Sequence, residues 1–292
     1  MARSGDARLG PAIHNRSMSS MKTSHRSANG LNIRFAETTG PGDQTTILVN
    51  PWPESLFAWD TIWVDLAKTG RLVAIDLPGF GQSEGRPELY SARAMGSFLV
   101  TLIDEWGLGN PHLVGSDVGQ GAVLFALSED PARFPSAVVG SRGAAVPLDV
   151  TGALKDIIEA PDMSAFEAID GADIVAQTLQ GLQSHELPEE ILEDYKASYA
   201  GKRFVESAAY VRAYPVDLPL LGDRLRDILT PVQIISGRND ILVPPSNAEY
   251  LHERLPNSKL ALLDTGHFAW EDGSDEYVRL ASSWIESHRT PA

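Results

Sequence analysis

Cysteine is absent from the 292 residues. That excludes disulfides, thiolate metal sites and a cysteine nucleophile. No apolar run approaches the roughly 18 residues of a membrane span, and none resembles the apolar segment of a secretory signal. Positive charge is scarce: 24 Lys and Arg stand against 39 Asp and Glu, a formal net charge of -15. A surface of that sign repels phosphate backbones and anionic lipid, so neither nucleic acid nor a membrane is expected as a partner. Internal repeats are also lacking. What is present, 43% hydrophobic and 22% charged residues, suits a globular chain. The default expectation for its location is the cytoplasm. Nothing in the pattern speaks to oligomeric state.

The first 28 residues stand apart. They are rich in Ser and Arg (Arg3, Arg8, Arg16, Arg26) and hold one acid, Asp6. That bias resembles an organelle transit peptide in composition. The plainer expectation is a disordered or flexible extension over 1–28, or an upstream start with Met18 or Met21 as the true first residue.

From residue 31 onward, short β-type runs alternate with helical patterns. Strands are predicted at Leu31–Glu37, Thr45–Asn50, Leu72–Asp76, His112–Ser116 and from Ala137, and helices at Ser91–Trp106 and Val118–Ser128. That rhythm implies an α/β chain with parallel pairing and helices on both faces. It stops from Asp149 to Gly222, where helical patterns with Pro and Gly punctuation contain no convincing strand. It resumes with a strand at Val232–Ser236, a helix at Asn247–Leu255, a strand at Lys259–Leu263 and a closing helix at Asp275–Ser287. The expected organisation is a core over 29–148 and 223–292, with a helical cap inserted over 149–222.

One segment carries chemistry. In His112-Leu-Val-Gly-Ser-Asp-Val-Gly-Gln-Gly121 a buried strand runs into a helix through a glycine-flanked turn. A nucleophile elbow needs small residues two before and two after the nucleophile, because the strained turn packs tightly. Gly115 and Gly119 meet that need for Asp117; Ser116 is flanked at the same distances by Val114 and Val118. The register therefore assigns the nucleophile's place to Asp117. The acid and histidine of such a site follow in chain order. Asp240 ends the loop after the Val232 strand, and His267 follows the last strand in Asp264-Thr-Gly-His267. Of seven histidines, only His267 lies just after a late core strand. His112 enters a strand, His252 lies on a helix, His185 falls in the insertion, and His14, His25 and His288 are near the ends.

With those segments in view, residues 31–288 resemble the α/β-hydrolase superfamily, and especially its epoxide hydrolase and haloalkane dehalogenase-like branch. Asn50-Pro-Trp-Pro-Glu-Ser-Leu-Phe-Ala-Trp59 is similar to the His-Gly-x-Pro segment of that branch. Asp76-Leu-Pro-Gly-Phe-Gly-Gln-Ser83 is similar to the loop after its next strand, and Gly-Ser-Asp-Val-Gly to its aspartate elbow. The resemblance implies an α/β-hydrolase fold: a mostly parallel twisted sheet flanked by helices, with a helical cap. It implies no cofactor and no metal. It places the backbone N–H groups of Trp52 and Val118 in the oxyanion hole and makes a cis Trp52-Pro53 bond the expectation. Asn50 and Pro51 depart from the pattern, standing where the branch has His and Gly; Pro51 lacks an N–H and stiffens the loop.

A carboxylate gains little by attacking an ester, where it would form an anhydride. At a saturated carbon it forms an ordinary alkyl ester. Water would then hydrolyse that ester, with His267 as base and Asp240 supporting the imidazolium. The substrate expected is a small, apolar organic molecule. Epoxide hydrolases of the branch supply a ring-opening proton from cap tyrosines. Tyr210, 30 residues before Asp240, fits that position, and Tyr214 or Tyr199 are stand-ins; the stretch 162–166, where a second tyrosine is usual, has none. Dehalogenases of the branch place Trp after the nucleophile and Asn at the x position, whereas Val118 and Trp52 stand here. Trp52 could still donate its indole N–H to a leaving group; the plainer expectation for it is a pocket wall.

The leading expectation is an epoxide hydrolase. A dehalogenase of the same branch, a lactone or ester hydrolase using water activated by Asp117 and His267, and a non-catalytic small-molecule binding protein of the same fold are the alternatives.

Overall fold

The computed structural model describes residues 19–41, 44–182 and 186–289; the rest of the expected N-terminal extension lies outside the described residues, as does His185. Eight strands form one sheet in the order β1-β2-β4-β3-β5-β6-β7-β8. They are β1 (Thr23–Ala28), β2 (Leu31–Glu37), β3 (Thr45–Val49), β4 (Arg71–Ile75), β5 (His112–Ser116), β6 (Ala137–Gly140), β7 (Val232–Gly237) and β8 (Ser258–Leu263). From β4 through β8 all neighbours pair in parallel, while β1 and β2 join antiparallel at one edge. This is the fold of the α/β hydrolases.

The expectation of disorder is corrected at its C-terminal end. Residues 23–28 pair in full register with β2, from Thr23 against Ala36 to Ala28 against Leu31. The turn is Asn29-Gly30, both at positive φ (47° and 72°). A two-residue Asn-Gly turn has the twist that a hairpin needs. Ahead of it, Met21 is buried and packs into the core.

Helices flank the sheet because parallel strands are apolar on both faces and need cover on both. Among them α1 (Asp60–Leu66) packs on α12 (Ser274–Ser287), and α2 (Ala92–Trp106) on α3 (Val118–Glu129). Local sequence sets their limits. In α2, Ser91 caps the start by accepting the N–H of Ala94, and Gly107 ends the helix at φ 65°. Near the C-terminal end, α10 (Ser246–Arg254) and the short α11 (Ala269–Asp272) pack against the β7 side of the sheet.

Among the described residues six α-helices lie between β6 and β7: α4 (Gly152–Glu159), α5 (Ser164–Glu167), α6 (Gly171–Leu182), α7 (Glu189–Tyr199), α8 (Arg203–Arg212) and α9 (Tyr214–Gly222). Their shared interior includes Tyr195, Tyr199, Phe204, Tyr210 and Tyr214, all buried. Polar ties hold this insertion to loops at the C-terminal ends of the strands. Arg34 on β2 grips Asp194 on α7 with both terminal nitrogens, at 3.1 and 2.6 Å. Ser55 and Gln82 donate to the same carboxylate at 2.6 and 2.8 Å. Arg203 donates to the carbonyls of Gly81 and Ser83, and Tyr199 donates to the carbonyl of Glu54 at 2.7 Å.

Candidate active site

β5 ends at Ser116 and α3 begins at Val118, so the single residue between them makes the turn. That residue, Asp117, has φ 49° and ψ -125°, a conformation costly for anything but glycine. Tight packing explains the flanking glycines. A Cβ on Gly115 would come within 2.6 Å of the Gly119 carbonyl oxygen, and one on Gly119 within 2.9 Å of the Val49 carbonyl oxygen. Ser116 is directed elsewhere: its hydroxyl meets that of Tyr277 on α12 at 3.1 Å.

The Asp117 carboxylate is buried at 4% exposure. Its Oδ2 accepts the Trp52 N–H at 2.9 Å, and the Val118 N–H at the helix start also favours its ionised form. The Trp52-Pro53 bond is cis. Side chains help to anchor the loop around Pro51. Asn50 bridges it, donating to the Pro51 carbonyl at 2.8 Å and accepting the Leu77 N–H at 2.7 Å. Asp76 accepts the Leu56 N–H at 2.6 Å. Burial raises the Asp117 pKa above the ordinary carboxylate value, while His267, the two N–H groups and Arg142 pull the other way.

The loops after β7 and β8 bring Asp240 and His267 together, with Nδ1 of His267 2.7 Å from Oδ2 of Asp240. The other oxygen, Oδ1, accepts the N–H groups of Leu242 and Val243 at 2.8 and 2.9 Å, which fixes the carboxylate's orientation. Burial lowers the histidine's pKa, but the charge and hydrogen bond of Asp240, with the charge of Asp117, outweigh it. The net position is above the ordinary 6.5.

The tyrosines divide. Tyr210 donates its hydroxyl proton to the Val118 carbonyl at 2.6 Å, so that proton is engaged beside the elbow. Tyr214 is fully buried beside the Arg142 guanidinium, and no acceptor holds its hydroxyl proton. Tyr199 is tied to Glu54 and Tyr195 to Glu271 at 3.2 Å. Burial raises the pKa of both Tyr210 and Tyr214. The indole of Trp52 is not available to a leaving group: its N–H is given to Ser207 at 2.9 Å, and its ring stacks on Phe204 with centroids 4.9 Å apart. It is a wall.

Two groups have no counterpart in the reading of the sequence. Glu54, two residues after Trp52, is fully buried. Burial first, then the adjacent Glu271 carboxyl and the charge of Asp117, hold its pKa well above the carboxylate range. Arg142, two residues past β6, lies over the first turn of α3. A Cβ on Gly121 would fall 2.8 Å from its Cζ and 2.7 Å from the Tyr210 hydroxyl. The available signal was position: Arg142 follows the C-terminal end of a parallel strand, where such sheets place their sites. Among the described residues no cluster of His, Asp and Glu could hold a metal ion.

A family model described as the alpha/beta hydrolase fold matches residues 47–274. The chain belongs to the α/β-hydrolase fold family and is a hydrolase of that fold. Among curated proteins it is 25% identical over 257 residues to an uncharacterized hydrolase, YugF, of Bacillus subtilis (strain 168), spanning 84% of this chain and 90% of that one. It is 26% identical over 278 residues to a 2-hydroxy-6-oxononadienedioate/2-hydroxy-6-oxononatrienedioate hydrolase of Burkholderia vietnamiensis, spanning 87% and 91%. Among solved structures, the haloalkane dehalogenase DbeA of Bradyrhizobium elkani superposes with a TM-score of 0.76 at 22% identity, over 91% of this chain and 98% of that one. The last is a likeness of fold. No helix among the described residues is long and apolar enough to cross a membrane.

Proposed function

We propose that this hydrolase acts at a saturated carbon through Asp117 and a covalent alkyl ester, most directly as an epoxide hydrolase. The observation that carries this reading is the hydrogen bond from the Trp52 N–H to Oδ2 of Asp117 at 2.9 Å. A hydrolase that attacks acyl groups needs its oxyanion hole open to the substrate's carbonyl oxygen. Here the nucleophile's own oxygen occupies it. The acyl carbon that the hole serves is therefore the carboxyl carbon of Asp117 itself. That suits a first step at a saturated carbon and a second step at the resulting ester, and it disfavours direct attack on a lactone.

Oδ1 of Asp117 bonds to an epoxide carbon as that C–O bond breaks, and the ring oxygen takes a proton. Tyr214 is the better donor of the two candidate tyrosines because its hydroxyl is uncommitted, whereas Tyr210's proton is held by Val118. Water then adds to Cγ of Asp117 and yields a proton to His267, whose charge Asp240 supports. The oxyanion forms on Oδ2 between the N–H groups of Trp52 and Val118. Collapse expels the second alkoxide, which takes the proton from His267 and leaves as the diol, and the remaining carboxyl proton returns to the Tyr214 phenolate, restoring the Asp117 carboxylate. The dehalogenase alternative is weakened by the engagement of the Trp52 indole with Ser207.

The test is intact-protein mass spectrometry of His267→Gln with epoxide, haloalkane and lactone panels. A substrate turned over by the wild type is expected to leave its mass on Asp117. If no such substrate leaves an adduct, the covalent reading falls. If the wild type binds these compounds and turns over none, the chain is a binding protein.

A further inference from the structure

Arg142 is 1% exposed, yet its guanidinium is barely engaged. Nη1 donates to the carbonyl of its neighbour Gly143 at 3.1 Å. Nε and Nη2 have no hydrogen-bond partner, and among the described residues no carboxylate forms an ion pair with it. Leaving a charged donor buried and unmet is costly, and folded proteins rarely do it without a use for the group. The two idle nitrogens are not an arbitrary pair. Nε and Nη2 form one edge of the planar guanidinium, where two parallel N–H bonds match the two oxygens of a carboxylate. The edge is held in place rather than loose. The Tyr214 ring lies under Cζ at 4.1 Å, the Tyr210 ring is 6.0 Å away, and the preceding Ser141 sits at φ 56°. The Tyr214 hydroxyl lies beside it, and no acceptor holds its proton.

The location ties this edge to the candidate site. Cζ and Nε of Arg142 and the hydroxyl of Tyr210 would all touch a Cβ on Gly121, one helical turn beyond Asp117, and that same hydroxyl bonds Val118. We infer that the Nε–Nη2 edge of Arg142 binds a carboxylate of the substrate, so that the substrate class is a small organic acid bearing its electrophilic carbon close to the carboxylate. This rests on the reading of Asp117 as the nucleophile and narrows the expected apolar substrate to an amphiphilic, singly anionic one. A carboxylate brought near Asp117 would otherwise be repelled by it, and Arg142 is the cation placed to offset that repulsion. A halide or a lone alkoxide uses a single acceptor point and leaves half of the edge unmet.

The inference is tested by calorimetric titration at fixed ionic strength with phenylacetate and with neutral, near-isosteric phenylacetamide, and with sodium bromide as a third arm. Wild type is expected to prefer phenylacetate by about tenfold or more, the scale of a charge-assisted paired hydrogen bond. Arg142→Met is expected to erase the preference, and Arg142→Lys, which retains charge without the fork, to retain only part of it. Equal binding of acid and amide by the wild type overturns the inference, whether or not the variants fold. So does a preference that survives in folded Arg142→Met, or bromide displacing phenylacetate at comparable concentration, which would assign the edge to a halide. The two readings fail separately. Selective phenylacetate binding with no Asp117 adduct from oxirane-2-carboxylate in His267→Gln sinks the covalent chemistry and leaves the carboxylate site standing. An adduct from neutral styrene oxide with no selectivity between acid and amide does the reverse.

Discussion

Arg34 and Arg142 are both withdrawn from water, at 3% and 1% exposure, and both lie where the sheet meets the helical insertion. Arg34 has its two terminal nitrogens on Asp194, with Asp76 3.5 Å away and Ser55 and Gln82 completing the cluster. Arg142 has an aromatic ring beneath it and one carbonyl at its edge. The first region is saturated, and its polar groups hold the insertion to the core. The second is rich in donors without acceptors. Unpaired buried donors destabilise a fold, so a protein that tolerates them beside a strained, buried carboxylate is arranged for something other than stability. The contrast sets a region of paired polar groups against one whose donors are unmet.

The largest expected effect breaks the second region and leaves the first untouched. Asp117→Asn is expected to lose roughly ten-thousandfold in turnover on any substrate the wild type hydrolyses, the scale seen when a member of a catalytic unit is removed. Its circular dichroism and melting curve should match the wild type, since the Trp52 N–H still finds an amide oxygen. Retained turnover would remove Asp117 from the chemistry.

The next change inverts the comparison. Asp194→Ala leaves Arg34 buried without its paired carboxylate and is expected to cost about 3–5 kcal/mol in urea unfolding. Arg142→Met replaces a cation that has no ion partner with an apolar chain of similar length, and is expected to stay within about 1 kcal/mol of wild type. Equal losses at the two positions would mean that Arg142 is a structural group after all.

The smallest effect sharpens the first region through pH. Burial raises the Asp76 pKa from the ordinary 3.8 to about 6, against the pull of Arg34. The folded state therefore holds this proton more tightly than the unfolded one. The contribution is complete below about pH 4 and is lost as pH rises through about 6, a change of up to about 3 kcal/mol. In Asp76→Asn the stability profile over that interval is expected to flatten by that amount, read from urea midpoints at stepped pH. An unaltered profile would show that Arg34 and the N–H groups of Leu56 and Gln82 already hold Asp76 ionised.

Much of this was legible in the chain. β2 was visible as an alternating run, and the strands from β3 to β8 because parallel strands are short apolar runs between turn signals. β1 was missed because its own residues are polar and mostly exposed, as on an edge strand, although Asn29-Gly30 advertised the hairpin. The polar ties of the insertion and the Glu54–Glu271 pair carried no local signal, since each joins residues far apart in the chain.

The sequence by itself determined which residue turns the elbow. Gly115 and Gly119 bracket Asp117 and no neighbour, and the clash they avoid is with backbone only a few residues or one strand away. Chain order likewise determined Asp240 and His267, because the ends of successive parallel strands converge at one edge of the sheet. Only the tertiary structure decided which tyrosine hydroxyl is spent and which is left over, that the Trp52 indole is taken by Ser207, and that Arg142 keeps an open edge. Those outcomes depend on what remains unpaired after distant segments have packed. Pairing of that kind is a property of the whole arrangement and leaves no pattern in the order of residues.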